Sequence, residues 1–188
     1  MTLKSYEEQN IKMKKTLILF LLFVVQLSSA KTTRQHQAHE HGSGKLGIAF
    51  DDKTGRVDFK ITTSSIMGFE YTPKTGREKK LKEMQLSLLE NKIGEMISFT
   101  PELGCTFTKE KIEVQKDEKE SKEMHAEHSD LVAVFNVKCA KSPAGSKITF
   151  NFQKIFPHII DVDAEVVVGD LQKSAEIKSN GTVLELTK

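Results

Sequence analysis

Short runs in which apolar and polar residues alternate recur along most of this chain, and they constrain its fold more than any other feature. In residues 56–63, Val57, Phe59 and Ile61 alternate with polar side chains, so one face of the run is buried and the other meets water. A turn-forming cluster at residues 51–55 separates this run from a similar one at residues 45–50. The pattern predicts an antiparallel hairpin with one buried face.

Strand-like runs of the same kind continue to the end of the chain. The dipeptide Asn180-Gly181 between the last two runs is a strong hairpin signal, because both residues tolerate positive φ angles. The predicted strands are residues 45–50, 56–63, 105–115, 131–139, 147–152, 159–168, 174–178 and 182–186. The sequence therefore predicts a mostly antiparallel sheet of about eight strands.

A helical insertion interrupts the predicted strands between residues 63 and 105. Thr75 and Glu78 have capping-box spacing, which predicts a helix of about four turns. Asn91 is a favourable N-cap residue, so a shorter second helix is expected before Pro101 and Gly104. The apolar residues at helical spacing are Leu81, Met84 and Leu88, followed by Ile93, Met96 and Ile97. The predicted fold class is α+β, a single domain with a two-helix insertion.

The N-terminal 30 residues have the composition of a secretory signal peptide. A basic stretch that begins at Met13 precedes an apolar run at residues 17–25, and small residues end at Ala30. This run is too short to cross a bilayer comfortably, so no stable membrane insertion is expected after cleavage. We expect residues 1–30 to be the signal peptide, residues 31–44 a mobile arm that contains histidines, and residues 45–188 the folded domain.

The charge balance of the expected exported part argues against nucleic-acid binding. The whole chain has 28 basic and 26 acidic residues, of which four lysines and two glutamates lie in residues 1–30. The remaining 158 residues contain 24 of each sign. A formally neutral domain with interspersed charges does not indicate the basic face that nucleic acid requires.

The two cysteines, Cys105 and Cys139, lie in the expected folded domain. Export to an oxidising compartment favours a disulfide between them, which would stabilise the fold by roughly 3–4 kcal/mol through loop closure. Zinc–thiolate ligation is the competing interpretation. Neither cysteine belongs to a CxxC motif or a Cys-His cluster, so the sequence favours the disulfide.

Histidine placement carries the functional prediction, because two short polar segments contain five of the six histidines. The first segment contains His36, His39 and His41, and the second contains His125 and His128, followed by Asp130. Neutral imidazole is a zinc ligand and often shares the metal with a carboxylate. Side chains two positions apart share one face of a strand. The preferred ligand set is therefore His39, His41, His128 and Asp130.

Several alternatives to this ligand set stay open. His125 replaces Asp130 if the second segment is helical, since residues three apart are then neighbours. His158 is expected to be a turn or surface residue. Imidazole also binds copper and nickel, so the sequence does not select zinc by itself.

Two other classes of protein compete with a metal-binding protein. In a non-metal extracytoplasmic binding or assembly module, the histidine-containing arm is an incidental solvated tail. An enzyme is not expected, because the chain has no HExxH, no GxSxG and no glycine-rich phosphate loop.

Motifs along nearly all of the expected exported chain resemble those of a known family. They are His39-Glu40-His41-Gly42, Gly68-Phe69-Glu70-Tyr71-Thr72-Pro73, Gly104-Cys105-Thr106, Glu127-His128-Ser129-Asp130, Cys139 and Phe156-Pro157. The chain is similar to the ZrgA-like family, periplasmic zinc-binding proteins of Gram-negative bacteria that are linked to an ABC-type zinc-uptake system.

The resemblance implies a soluble periplasmic protein that assists zinc acquisition by capture and hand-over to an uptake system. It implies His39, His41, His128 and Asp130 as ligands, and it favours the disulfide. Many members have a histidine after Gly-Phe-Glu where this chain has Tyr71, so a ligand role there is lost or passes to Glu70. Members often carry a long histidine-rich loop where this chain has the charged run at residues 116–123, so metal gathering by that loop is expected to be weak.

Overall fold

The computed structural model describes residues 42–116 and 129–188, which form nine strands and three helices. The strands are β1 (Ser43–Asp51), β2 (Thr54–Thr62), β3 (Ile97–Phe99), β4 (Thr106–Lys116), β5 (Ser129–Lys138), β6 (Lys147–Phe150), β7 (Asp161–Val168), β8 (Leu171–Ile177) and β9 (Thr182–Glu185). The helices are α1 (Thr63–Met67), α2 (Gly76–Met96) and α3 (Phe152–Ile155), and a 3₁₀ turn spans Pro101–Leu103. The predicted α+β class is confirmed.

The strands form two sheets rather than the one that the sequence predicted. Six strands form a sheet in the order β4-β5-β2-β1-β7-β8, and β3, β6 and β9 form a separate sheet in the order β3-β6-β9. Among the described strands, only β1 and β7 pair in parallel. The mostly antiparallel character is therefore confirmed.

The core lies on one face of the six-stranded sheet. As the alternation predicted, Val57, Phe59 and Ile61 are buried along β2, and the polar residues between them face solvent. The ring of Phe152 in α3 stacks on Phe59 with centroids 5.4 Å apart, so α3 covers this face. Polar side chains occupy the opposite face, which we call the polar face of the sheet.

The helical insertion divides differently from the prediction. The capping box of Thr75 and Glu78 is confirmed, but α2 then continues for 21 residues, and the second helix predicted at Asn91 is wrong. The Asn91 amide donates to the Ser87 hydroxyl across 3.2 Å instead of capping a helix, because no residue nearby breaks the helical backbone. Met84, one of the apolar residues at helical spacing, is 59% exposed. The buried side chains of α2 are Leu89, Ile93 and Met96.

The predicted hairpin at Asn180-Gly181 is also wrong, although a turn is present. Gly181 has a φ of 80°, but β8 pairs with β7, whereas β9 pairs with β6 in the other sheet. The turn is bonded to the corner after β6, because the Gly181 amide donates to Phe150 O and the side-chain Oδ1 of Asn180 accepts from the Lys154 amide. These non-local bonds direct β9 away from β8.

The disulfide between Cys105 and Cys139 is present, which confirms that prediction over zinc–thiolate ligation. It joins the residue before β4 to the residue after β5. No helix within the described ranges is long and apolar enough to cross a membrane.

Candidate metal site

Five of the six predicted metal ligands lie outside the described residues. They are His36, His39, His41, His125 and His128. The sixth, Asp130, is the second residue of β5. The structure therefore locates the strands to which the two histidine-containing segments are joined.

The two segments join the six-stranded sheet at the same end. Both β1 and β5 pair with β2, and they run in the same direction on either side of it. Near the end of β2, Gly44 pairs with Ile61, and Asp130 pairs with the next residue, Thr62. Two strand spacings separate β1 from β5, a distance of about 10 Å. Residues 42 and 129, which directly follow the histidine-containing segments, are therefore near neighbours in the fold.

Gly42 fixes the point at which the arm joins the sheet. Its carbonyl oxygen accepts from the Ile160 amide across 2.8 Å and from the Asp161 amide across 3.2 Å. It has a φ of 92°, and a Cβ there would lie 2.7 Å from Cγ1 of Ile160. Only glycine fits this position without strain. The carbonyl of His158 is 3.1 Å from the same Cβ position, so the turn expected at His158 borders this sheet end.

Asp130 is paired with a lysine on the polar face. Its carboxylate lies 2.7 Å from Nζ of Lys60, and its side chain is 16% exposed whereas that of Lys60 is 56% exposed. Cross-strand neighbours explain the contact, because Lys60 pairs with Val132, two residues along β5 from Asp130. A metal ion at Asp130 would compete with the Lys60 ammonium for this carboxylate.

Glu70 lies beside the start of β5 on the core side of the sheet. The Ser129 hydroxyl donates to the Glu70 backbone oxygen across 2.6 Å, and the Ser64 hydroxyl donates to the Glu70 carboxylate across 2.7 Å. A small cavity of about 130 Å³ adjoins this carboxylate, and Thr63 and Lys116 also line it. The structure thus puts the backbone carbonyl of Glu70, the residue that the resemblance offered as a substitute ligand, in contact with the residue that follows His128.

Tyr71, at the position where the resemblance implies a lost ligand role, is bonded to helix α2. Its hydroxyl donates to the Glu78 carboxylate across 2.9 Å, and its ring stacks on Phe69. The hydrogen bond with Glu78 raises the pKa of Tyr71. The amides of Thr75 and Lys74 and the Tyr71 hydroxyl together lower the pKa of Glu78 from 4.5 to about 2. The Tyr71 hydroxyl is thus engaged with the capping box of α2.

A cluster of carboxylates on the polar face was not predicted. Oxygen atoms of Asp161, Asp163 and Glu176 lie within 4.8 Å of one another. Burial raises the pKa of Asp161, and the negative charge of Glu176 raises it further. The sequence shows the Asp161 and Asp163 alternation, but Glu176 joins them only through the pairing of β7 with β8. An all-oxygen set suits hard cations better than zinc, and Lys178 pairs with Glu176, so this cluster is not the predicted site.

Comparison with known families identifies the family of this chain. A family model described as "ZrgA family zinc uptake protein" matches residues 38–186. The chain belongs to the ZrgA family. No curated protein matches the chain. Membership of the ZrgA family indicates a role in zinc uptake, and the matched region includes His39, His41, His128 and Asp130.

Proposed function

We propose that this ZrgA family protein captures zinc outside the cytoplasm and hands it over to an uptake system, for which the family resemblance implies an ABC-type transporter. The observation that carries the proposal is the shared sheet end of β1 and β5. It brings the points of attachment of both histidine-containing segments within the reach of a few residues. Zinc binding by both segments then needs no rearrangement of the sheet.

The proposed ligands are His39, His41, His128 and Asp130, and they form a nitrogen and oxygen set of the kind that binds zinc tetrahedrally. His36 and His125 are accessory ligands in the same segments. Glu70, whose backbone oxygen contacts Ser129, is the alternative to Asp130 that the resemblance offers. In this proposal the incoming zinc ion replaces Lys60 as the cationic partner of Asp130.

The proposed location is the periplasm, after removal of residues 1–30 as a signal peptide. The disulfide supports an oxidising compartment, because structural disulfides are rare in the cytosol. We propose a binding protein rather than an enzyme, in which zinc is the cargo and no bond of a substrate is broken.

Isothermal titration with zinc tests the proposed ligands. The substitutions His39→Ala, His41→Ala and His128→Ala are each expected to weaken zinc binding by about tenfold or more, because each removes one metal–nitrogen bond. His158→Ala is the matched control, as it removes an exposed histidine from the described domain that is not a proposed ligand. Unchanged zinc binding in all three ligand variants would contradict the proposed site.

Zinc-dependent thermal stability separates this function from that of a non-metal module. A ligand that binds only the folded state raises the melting temperature with concentration. After chelator treatment, added zinc is therefore expected to raise the melting temperature of the unmodified protein. An unchanged melting temperature together with no tight zinc binding would favour the non-metal module.

A further inference from the structure

The buried polar residues of the domain lie together at one place in the fold. Within the described ranges, the polar residues that are buried are Thr62 at the end of β2, Thr63 and Ser65 in α1, and Ser129 at the start of β5. Thr62 pairs with Asp130, so this is the sheet end where both histidine-containing segments join. Buried polarity is therefore concentrated beside the proposed zinc site.

Hydroxyl hydrogen bonds join Ser129 to α1 and to the loop that follows it. The Ser129 hydroxyl lies 2.6 Å from the backbone oxygen of Glu70, which can only accept, so Ser129 is the donor in this bond. A hydroxyl has one hydrogen to donate. The Thr63 hydroxyl, 2.6 Å from Ser129 Oγ and 2.9 Å from Ser129 O, is therefore the donor to Ser129. Ser129 is thus held by two separate parts of the chain.

A second set of bonds holds α1 and this loop to the end of β2. The hydroxyl oxygens of Thr62 and Ser65 lie 2.8 Å apart, and the Ser64 hydroxyl donates to the Glu70 carboxylate across 2.7 Å. Together with the bonds of Ser129, they form one hydroxyl network that connects the end of β2, α1, the loop at Glu70 and the start of β5.

Ser129 lies between His128 and Asp130, the two proposed ligands of the second segment. Successive side chains of a strand point to opposite faces. Ser129 is accordingly 5% exposed on the core side, whereas Asp130 contacts Lys60 on the polar face. Because Thr63 also bonds to the backbone oxygen of Ser129, the network constrains the backbone from which the two ligands project.

An apolar core would not provide the same constraint. Buried hydroxyl pairs add little net stability compared with apolar side chains of the same shape. Hydrogen bonds are directional, however, and a fully bonded buried network rigidifies the groups it joins. The network therefore fixes where β5 begins, and this is the property that a metal site needs from its supporting residues.

We propose that Thr63 and Ser129 are positioning residues of the zinc site. They hold the start of β5 so that His128 and Asp130 lose less conformational freedom when zinc binds. Thr63 is 1% exposed and Ser129 faces the core, so neither hydroxyl is a ligand. The inference rests on the proposed function and extends it to two residues that do not contact the metal.

Zinc titration by calorimetry on the purified protein tests the proposal. Thr63→Val and Ser129→Ala each remove one hydroxyl and are expected to weaken zinc binding about three- to tenfold. Thr63→Ser keeps the hydroxyl and should bind zinc like the unmodified protein. Ser146→Ala is the matched control, because the Ser146 hydroxyl also donates to a backbone oxygen across 2.6 Å, in the loop before β6.

Melting temperatures without zinc separate positioning from a purely structural role. Ser129→Ala and Ser146→Ala should both lower the melting temperature, but only Ser129→Ala should weaken zinc binding at a temperature where both variants are folded. If Thr63→Val does not fold, Ser129→Ala decides the outcome.

The possible failures of the two proposals are distinguishable. Weaker zinc binding in the histidine variants, with unchanged binding in Thr63→Val and Ser129→Ala, would overturn the positioning role alone. Equal weakening by Ser146→Ala would also overturn it. No zinc binding by the unmodified protein would overturn both this role and the proposed function.

Discussion

The carboxylate of Asp130 lies 2.7 Å from the ammonium of Lys60, at the sheet end where both histidine-containing segments join the domain. An ion pair whose lysine is more than half exposed contributes only about 0.2–1 kcal/mol. In the proposed site, a zinc ion with several other ligands would therefore displace Lys60 at little cost. The proposal gives the lysine the role of holding the carboxylate in place before zinc binds.

Substitution of Lys60 tests this exchange. Lys60→Met removes the competing cation, and zinc affinity is expected to increase by up to about fivefold. Asp130→Asn should instead lower zinc affinity, since it removes the anionic ligand. Zinc titration by calorimetry measures both, with Lys173→Met as a control on a different strand. Zinc affinity that is unchanged in both variants would exclude Asp130 as a ligand.

Zinc affinity is expected to fall in mild acid. The proposed ligands are mostly imidazoles, which must be deprotonated to bind and have an ordinary pKa of about 6.5. Titrations between about pH 7.5 and pH 5.5 should show progressive weakening as protons compete with zinc. A constant affinity across that range would indicate that carboxylates rather than histidines dominate the site.

The capping box of α2 makes stability depend on acid pH. The pKa of Glu78 is about 2 in the folded protein, below its ordinary value of 4.5. The contribution of the ionised Glu78 to the free energy of unfolding is therefore fully present above about pH 4.5 and is lost as the pH falls towards 2. In urea unfolding, Glu78→Gln should lose less stability than the unmodified protein between these pH values. Glu83→Gln, in the exposed part of the same helix, should behave like the unmodified protein.

Two glycines with positive φ provide a matched test of the attachment point of the arm. Gly42 and Gly169 have φ angles of 92° and 57°, but a Cβ at Gly42 would clash with Ile160, whereas the space at Gly169 is open. Gly42→Ala should lower the free energy of unfolding by about 1–3 kcal/mol more than Gly169→Ala. Chemical denaturation measures the difference. Equal losses would show that the contact with Ile160 relaxes without cost.

The disulfide is expected to stabilise the domain without taking part in zinc binding. Cys105 and Cys139 are 34 residues apart, and the loop-closure estimate for that separation is about 3–4 kcal/mol. Replacing both cysteines with serine should lower the free energy of unfolding by about that amount. Zinc affinity should be retained at a temperature where the variant stays folded. Loss of zinc binding in a folded variant would restore the thiolate interpretation.

Local patterns predicted local structure well. The alternation of Val57, Phe59 and Ile61 identified the buried face of β2, because side-chain direction in a strand depends only on position. The Thr75 and Glu78 capping box was correct because its bonds close within four residues. The second helix predicted from Asn91 was wrong, because a residue that favours the N-cap position is also tolerated inside a continuous helix. The hairpin predicted from Asn180-Gly181 was wrong, because a turn does not determine which strands pair on either side of it.

The sequence by itself determined the buried faces of the strands, the start of α2, the two histidine-containing segments and the cysteine pair. Only the tertiary structure decided that β1 and β5 begin at one sheet end, that Lys60 forms an ion pair with Asp130, and that Glu176 lies beside Asp161 and Asp163. The physical reason is range. Alternation, capping and ligand chemistry act over a few residues, whereas strand order depends on how distant apolar faces pack into one core.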